Sequence, residues 1–155
     1  MKKSQIKAKT PFHPFETVVS ENSEGKYTLD ILTGGHKILA DEPISKGGTD
    51  LGPSPYDLLL SSLGSCTAIT IRMYANMKKI PLKNISVTLS HKKIYVDDCK
   101  TCDGGEGMID LINREIKFTG DLSASDTKKL LIIADKCPVH KTLTQQIRID
   151  TRLEE

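Results

Sequence analysis

The stretch "GGTDLGPSPYDLLLSSLGSCTAITIRMYA", residues 47–75, decides the fold. Its first part is rich in glycine and proline and predicts a loop, because neither a helix nor a strand runs through such a composition. A helix begins directly after it: Ser54 is a good cap, Pro55 suits the first helical position, and Asp57 completes a capping box. The helix is predicted to run to about Lys79, because a proline follows two residues later.

This helix is apolar on nearly every side, which is typical of a central helix rather than a surface one. Its middle also carries Gly64 among several serines. A glycine inside a helix costs about 1 kcal/mol relative to alanine. We therefore expect another element to pack closely against the helix at Gly64.

The remaining elements are predicted from alternating and amphipathic patterns. A helix is expected at residues 121–137, with Ser123 or Ser125 as its cap. Strands are expected at 26–32, 36–43, 85–96, 107–120 and 144–152. This order predicts an α+β fold with segregated elements and not a parallel βαβ array. The order is strands, a helix, a long hairpin, a second helix and a last strand.

Size and composition indicate one domain over residues 1–155, with residues 1–12 as a flexible or docking arm. The net charge is +2, from 22 basic and 20 acidic residues spread along the chain, so neither nucleic acid nor an anionic membrane is an expected partner. No apolar run fits a secretory signal or a membrane span. A cytoplasmic location is therefore expected.

Cys137 and Cys66 lie in contrasting contexts for thiol chemistry. Cys137 precedes Pro138, which ends the preceding helix and can begin a new turn, and the free N–H groups of that turn favour a thiolate. His140 can reach back toward the sulfur. Cys66 lies in the most apolar helix, where burial alone would make it inert unless a cation or donor is near. Packing for Cys66, and a capping role beside a surface histidine for Cys137, remain alternatives.

Cys99 and Cys102 form a C-x-x-C pair, which offers half a zinc site, a redox pair or an ordinary turn. A redox motif of the thioredoxin type needs a helix after it, whereas "DGGEG" follows here. Zinc would require two further ligands. The candidates are His91 and, less definitely, Asp97, Asp98 and Asp103.

The stretch at 47–75, followed by "IADKCPVHKTL" at 133–143, closely resembles the OsmC/Ohr family of osmotically inducible and organic hydroperoxide resistance proteins. The resemblance extends from about Gly35 to Arg152, and the "GPSP" and "CPVH" motifs are similar to a less studied branch of the family. It implies an α+β subunit with two long central helices against curved antiparallel sheets. It also implies an interlocked homodimer with two sites at the interface, which would cover the apolar helix.

By position, the resemblance implies that Cys66 is the peroxidatic cysteine and Cys137 the resolving one. A Cys66 thiolate would attack a small hydroperoxide, the sulfenic acid would condense with Cys137, and a dithiol would reduce the disulfide. In better known members that dithiol is a lipoyl group, so a dithiol reductant protein is an implied partner. No tightly bound cofactor and no metal are expected.

One part of the family pattern is missing. Characterised peroxide reductases of the family use an N-terminal arginine, held by a glutamate after the helix-opening proline, to keep the thiolate charged. Tyr56 stands at the glutamate position with Asp57 next to it, and no arginine precedes Arg72. The substitutes in this chain are Lys46, Arg72 and His140, although Arg72 lies almost opposite the thiol on the helical wheel.

Three functions are compatible with the sequence. The first is a thiol-dependent peroxidase. The second is a protein that binds a small molecule in the interface pocket without turnover, with the cysteines as packing residues. The third is a zinc or redox sensor built on the C-x-x-C hairpin.

Overall fold

The computed structural model describes residues 16–98 and 107–154. The chain divides between Asp57 and Leu58 into two compact units. The first unit contains an antiparallel sheet of order β1-β2-β3, formed by β1 (Thr17–Glu21), β2 (Leu29–Thr33) and β3 (His36–Ala40). A short 3-10 turn, Ile44–Lys46, follows.

A buried carboxylate organises the glycine-rich loop of this unit. Asp41 is 2% exposed, and its Oδ2 atom accepts the Thr49 hydroxyl at 2.7 Å and the backbone N–H groups of Thr49 and Leu51 at 3.0 and 3.2 Å. Its Oδ1 atom accepts the N–H of Glu42 at 2.8 Å. Burial raises the pKa of Asp41, but these hydrogen bonds outweigh it and hold the pKa below its ordinary value. The loop thus wraps an ionised aspartate.

The second unit contains a long hairpin and three helices. Strands β4 (Leu82–Tyr95) and β5 (Met108–Gly120) pair antiparallel, and a 3-10 turn, Val96–Asp98, follows β4. The helices are α1 (Pro55–Met77), which starts in the first unit, α2 (Ala124–Ala134) and α3 (Pro138–Leu143). The structure confirms the predicted α+β class, with a long helix and antiparallel sheets. The resemblance implied two long helices, but α2, at 11 residues, is much shorter than α1.

The start of α1 is capped as predicted. Asp57 Oδ2 accepts the Ser54 hydroxyl at 2.6 Å and the Ser54 backbone N–H at 2.9 Å, and the Asp57 N–H donates back to Ser54 Oγ at 3.3 Å. The helix ends at Met77, two residues before the predicted Lys79. Lys79 itself adopts a left-handed conformation with φ 53°, which ends the helical hydrogen bonding.

Helix α1, the hairpin and α2 share one core, formed by Ile71, Ala75, Leu82, Leu130 and Ala134. The expected close approach at the helical glycine is present. A Cβ atom on Gly64 would lie 2.8 Å from Leu89 Cδ1, so the glycine gives β4 room to approach the helix.

Helix α2 begins at one of the two predicted caps, and the predicted proline break follows it. Ser123 caps α2: its hydroxyl accepts the N–H of Asp126, and Asp126 accepts in return, so that a complete capping box forms. The helix ends before Cys137, and α3 begins at Pro138. Leu130, Ala134 and Cys137 are buried, at helical spacings of four and three residues.

Two strand assignments differ from the prediction. Strand β1 was not expected, because its two adjacent valines do not alternate with polar residues. The strand predicted at 144–152 is wrong: residues 146–152 form neither helix nor strand, and Ile147 and Ile149 are exposed. Their alternation fits a strand, but no strand among the described residues pairs with this segment, and a strand needs a partner for its backbone groups.

Among the described residues, only α1 is long and apolar enough to cross a membrane, by length and composition alone. The core that it shares with the hairpin and α2 accounts for part of its apolar surface. The single domain and the cytoplasmic location stay predictions. The N-terminal arm at 1–12 lies outside the described residues.

Candidate active site

The fold brings Cys66 and Cys137 together. Cys66 lies in the middle of α1, and Cys137 is the residue before the first turn of α3. Both are free thiols, and their sulfur atoms are in hydrogen-bond contact. Cys66 is partly exposed, whereas Cys137 is fully buried. A small molecule that enters from solvent therefore meets Cys66 first.

The environment of Cys137 favours its thiolate. Burial raises the pKa of Cys137, but donors around the sulfur outweigh burial and hold the pKa below the ordinary thiol value. These donors are the Cys66 thiol, the backbone N–H of His140 at 3.5 Å, the Thr67 hydroxyl and the backbone N–H of Val139. Each stabilises a negative sulfur more than a neutral one.

The pKa of Cys66 shifts the other way. Burial raises it, and the neighbouring Cys137 sulfur raises it further, both by accepting the Cys66 proton and by its charge. The N–H of Val139 and the hydroxyl of Thr70 lower the pKa of Cys66, but by less than burial and Cys137 raise it. The two thiols therefore titrate as a pair, and the donors around Cys137 favour the negative charge on that sulfur.

His140 and Arg72 take different positions around the pair. His140 contacts Cys137 through its backbone N–H, whereas the helix spacing had suggested its side chain, and the residue also lines a cavity. Arg72 donates instead to the carbonyl oxygens of Leu82 at 2.6 Å and Lys83 at 3.1 Å. Within this chain, its guanidinium ties α1 to the start of β4.

The other suggested supporting residues belong to the first unit, whereas both thiols belong to the second. Lys46 Nζ lies 3.6 Å from Glu42 Oε2. Tyr56 is exposed on the first turn of α1. The Ser54 hydroxyl and then its N–H hold the pKa of Asp57 below its ordinary value, and Asp57 is thus engaged in the capping box of α1.

The predicted metal or redox hairpin is only partly described. Cys99, Cys102 and Asp103 lie outside the described residues. His91 Nε2 lies 2.7 Å from Asp110 Oδ1 on the neighbouring strand. In the described part of the chain, no group of three or more histidine, cysteine or acidic side chains could hold a metal ion.

Sequence reasoning missed Arg114 and Thr67. Arg114 Nη1 donates to Thr67 Oγ1 at 3.1 Å and to the Ala134 carbonyl at 3.3 Å, and Nη2 donates to Asp135 Oδ1 at 2.6 Å. A signal was present: Arg114 interrupts the apolar face of β5, between Ile112 and Ile116. A cation on the inward face of a strand is unusual unless it has a buried partner.

A cavity of about 320 Å³ is lined mainly by residues of α1, β5 and α3. Three of its residues are aliphatic and the others are polar or charged. The lining residues are Leu63, Asp110, Ile112, Arg114, His140, Leu143 and Thr144.

A long helix, a paired hairpin and two thiols in contact are consistent with the family that the motifs suggested. The profile of the family described as OsmC-like protein matches residues 47–152. The chain belongs to this family.

Solved structures show the same fold. An OsmC-like protein from Mycoplasma pneumoniae is 21% identical with a TM-score of 0.65, and the match covers 83% of this chain and 86% of that one. An organic hydroperoxide resistance protein OsmC from Legionella pneumophila is 19% identical with a TM-score of 0.61, over 87% and 92%. An organic hydroperoxide resistance protein from Elizabethkingia anophelis is 14% identical with a TM-score of 0.62, over 88% and 91%. No protein of curated function matches the sequence significantly.

Proposed function

We propose that this protein is a thiol-dependent peroxidase that reduces organic hydroperoxides or hydrogen peroxide through Cys66 and Cys137. The observation that carries the proposal is the contact between the two sulfurs, one partly exposed and one surrounded by donors. The names of the Legionella and Elizabethkingia proteins, which have the same fold, support the substrate class.

The cycle begins with a proton transfer within the pair. The Cys66 thiol gives its proton to the Cys137 thiolate, with which it is already in contact. The charge then lies on the sulfur that a peroxide can reach. Cys137 therefore acts first as the proton acceptor that activates Cys66, which supplies a base without the arginine and glutamate of the family pattern.

Two bond changes follow. The Cys66 thiolate attacks the terminal oxygen of the hydroperoxide, so that an S–O bond forms and the O–O bond breaks. The leaving alkoxide takes the proton held by Cys137 and departs as the alcohol. The Cys137 thiolate then attacks the Cys66 sulfenic acid, an S–S bond forms, and hydroxide leaves and is protonated to water.

A dithiol completes the cycle. One of its thiolates attacks the Cys66–Cys137 disulfide, and the second thiol closes the dithiol's own disulfide. Two electrons and one proton return to the enzyme, which restores the pair of one thiol and one thiolate. We propose a lipoyl-type or other dithiol reductant protein for this step. A reducing compartment such as the cytoplasm suits it, since such compartments keep dithiols reduced.

We further propose that the active form is a homodimer. Ile69, Met73 and Met77 lie at spacings of four residues along one face of α1 and are 60, 67 and 66% exposed. An apolar stripe of this kind is unfavourable in water and is typical of an interface. Light scattering should give about twice the subunit mass of 17.1 kDa.

A second candidate function is non-catalytic binding of a small molecule. The mixed lining of the cavity supports it, because neither cysteine is among the lining residues. In that case native mass spectrometry of the purified protein would show a retained ligand, and its peroxide reduction would be no faster than that of free cysteine.

Turnover with cumene hydroperoxide and dihydrolipoamide separates the two candidates. We expect turnover in the wild type and none in Cys66→Ser, while Cys137→Ser stops after one oxidation. The double variant Cys99→Ser, Cys102→Ser is the matched control and should keep turnover. Wild-type rates in both Cys66→Ser and Cys137→Ser would rule out the peroxidase.

A further inference from the structure

Arg114 joins the elements that carry the thiol pair. From β5 its guanidinium reaches Thr67 on α1, next to Cys66, and it also reaches the Ala134 carbonyl and Asp135 at the end of α2. The Arg114 side chain is 14% exposed and that of Asp135 62%. The cation is thus mostly withdrawn from water, and its anionic partner holds it from the solvent side.

The close approach of the hairpin to α1 makes this contact possible. Arg114 is the direct cross-strand partner of Leu89, so both side chains lie on the same face of the hairpin. Leu89 is the residue that packs over Gly64. The missing side chain of Gly64 therefore brings β4 and β5 near enough for Arg114 to reach Thr67, one turn further along the helix.

The chemistry of the three groups fixes the direction of the hydrogen bonds. A guanidinium can only donate, so the Thr67 oxygen must accept from Arg114. Thr67 is fully buried, and its hydroxyl has one proton, which the Arg114 contact leaves unused. The Thr67 hydroxyl also contacts the Cys137 sulfur. Its proton is therefore directed at that sulfur.

We propose that Arg114, held by Asp135, is a positioning residue that orients the Thr67 hydroxyl so that it donates to the Cys137 sulfur and favours the thiolate there. The effect of Arg114 on turnover rests on the proposed peroxidase function. Its effect on the ionisation of Cys137 does not depend on that function. Arg114 acts from β5 on the side of Cys137, whereas the family's N-terminal arginine acts on the peroxidatic cysteine. It touches neither sulfur and so is not itself a catalytic residue.

Other charged groups surround the pair and have to be considered. His140 and Asp110 are among the residues that line the cavity, and Asp110 is paired with His91 on β4. The backbone N–H groups of α3 donate to the sulfur independently of Arg114. A test must therefore change the Arg114–Thr67 connection without changing these groups.

The first test is a titration of the reduced protein in a Cys99→Ser, Cys102→Ser background, where only Cys66 and Cys137 remain as thiols. The ultraviolet absorbance of the thiolate is followed against pH. Thr67→Val keeps the side-chain shape but removes the hydroxyl, and we expect the first ionisation to move to higher pH by roughly one unit, the size of one hydrogen bond to a charged group. Thr67→Ser keeps the hydroxyl and should titrate like the wild type.

Thr127→Val is the matched control, because the Thr127 hydroxyl donates only to the Ser123 carbonyl on the surface of α2. It should leave the titration unchanged. Thr67→Val with a wild-type titration would overturn the proposal, and so would Thr67→Ser with a shift as large as that of Thr67→Val.

Arg114→Met then separates positioning from a purely structural clamp, with Arg148→Met as its control because Arg148 pairs only with Asp150 on the surface. We expect Arg114→Met to raise the first ionisation and Arg114→Lys to restore part of the shift. An Arg114→Met protein with a lower Tm but an unshifted titration would show a clamp and overturn the proposal. A shifted titration in a protein without peroxide turnover would instead support it and overturn the proposed function.

Discussion

Cys66 on α1 and Cys137 before α3 have their sulfur atoms in hydrogen-bond contact, and the two thiols have opposite shifts in pKa. Burial raises the pKa of both. At Cys137 the Cys66 thiol, together with backbone and hydroxyl donors, lowers the pKa overall, while the Cys137 sulfur adds to the rise at Cys66. The pair therefore carries one negative charge across a pH range in which two separate thiols would be neutral.

The two ionisations should change in predictable directions when one thiol is removed. In Cys66→Ala, Cys137 loses one donor, so its pKa should lie above the first ionisation of the intact pair. In Cys137→Ser, Cys66 loses the neighbouring charge, so its pKa should lie below the second ionisation of the pair. Thiolate absorbance in a Cys99→Ser, Cys102→Ser background measures both. Unchanged ionisations in the two variants would mean that the sulfurs do not interact.

The cap of α2 depends on Ser123 and not on Ser125. Ser123→Ala removes the hydroxyl that accepts the Asp126 N–H, and it should lower the free energy of unfolding by about 1 kcal/mol. Ser125→Ala changes a residue inside the first turn and should have a much smaller effect. Urea unfolding of both variants measures the difference. Equal losses in the two variants would contradict the assignment of the cap.

The stability of the first unit should depend on the ionisation of Asp41. Because the folded state lowers the pKa of Asp41, its contribution is fully present above the unfolded pKa of about 3.9 and is lost as the pH falls through the lower folded value. Asp41→Asn should therefore lower the Tm at pH 7, since an amide cannot accept all four donors. The difference from the wild type should narrow below about pH 4. A Tm difference that stays constant across this range would exclude an ionised Asp41.

The cavity lined by Ile112 should affect the choice of peroxide. Ile112→Trp fills part of the space beside His140 and should lower kcat/KM for cumene hydroperoxide by roughly tenfold, while kcat/KM for hydrogen peroxide changes by less than about twofold. Steady-state kinetics with both substrates gives the ratio. Equal losses for the two peroxides would place the organic group elsewhere.

Local signals in the sequence were sufficient for much of the fold. The cap at Ser54 and Asp57, the apolar character of α1 and the proline after Cys137 each act over a few residues, and each has its expected result in the structure. The glycine in α1 even indicated a close neighbour, although the sequence alone could not identify Leu89. Together with the family motifs, these signals placed both thiols on the correct elements.

Features that depend on pairing between distant residues could not be predicted in the same way. The segment with Ile147 and Ile149 has the alternation of a strand, but alternation does not supply a neighbouring strand. Arg114 stood out only as a charge on an apolar face, and its partners lie on α1 and at the end of α2. Asp41 gave no signal, because its donors become neighbours only when the glycine-rich loop closes.

The most direct test of the account is the product of one equivalent of cumene hydroperoxide added to the reduced protein. Peptide mapping under non-reducing conditions should show a disulfide between Cys66 and Cys137 in the Cys99→Ser, Cys102→Ser variant, with the loss of both thiols. If that variant instead keeps both thiols free, or stops at a Cys66 sulfenic acid that Cys137 never resolves, the two sulfurs do not form the proposed catalytic pair.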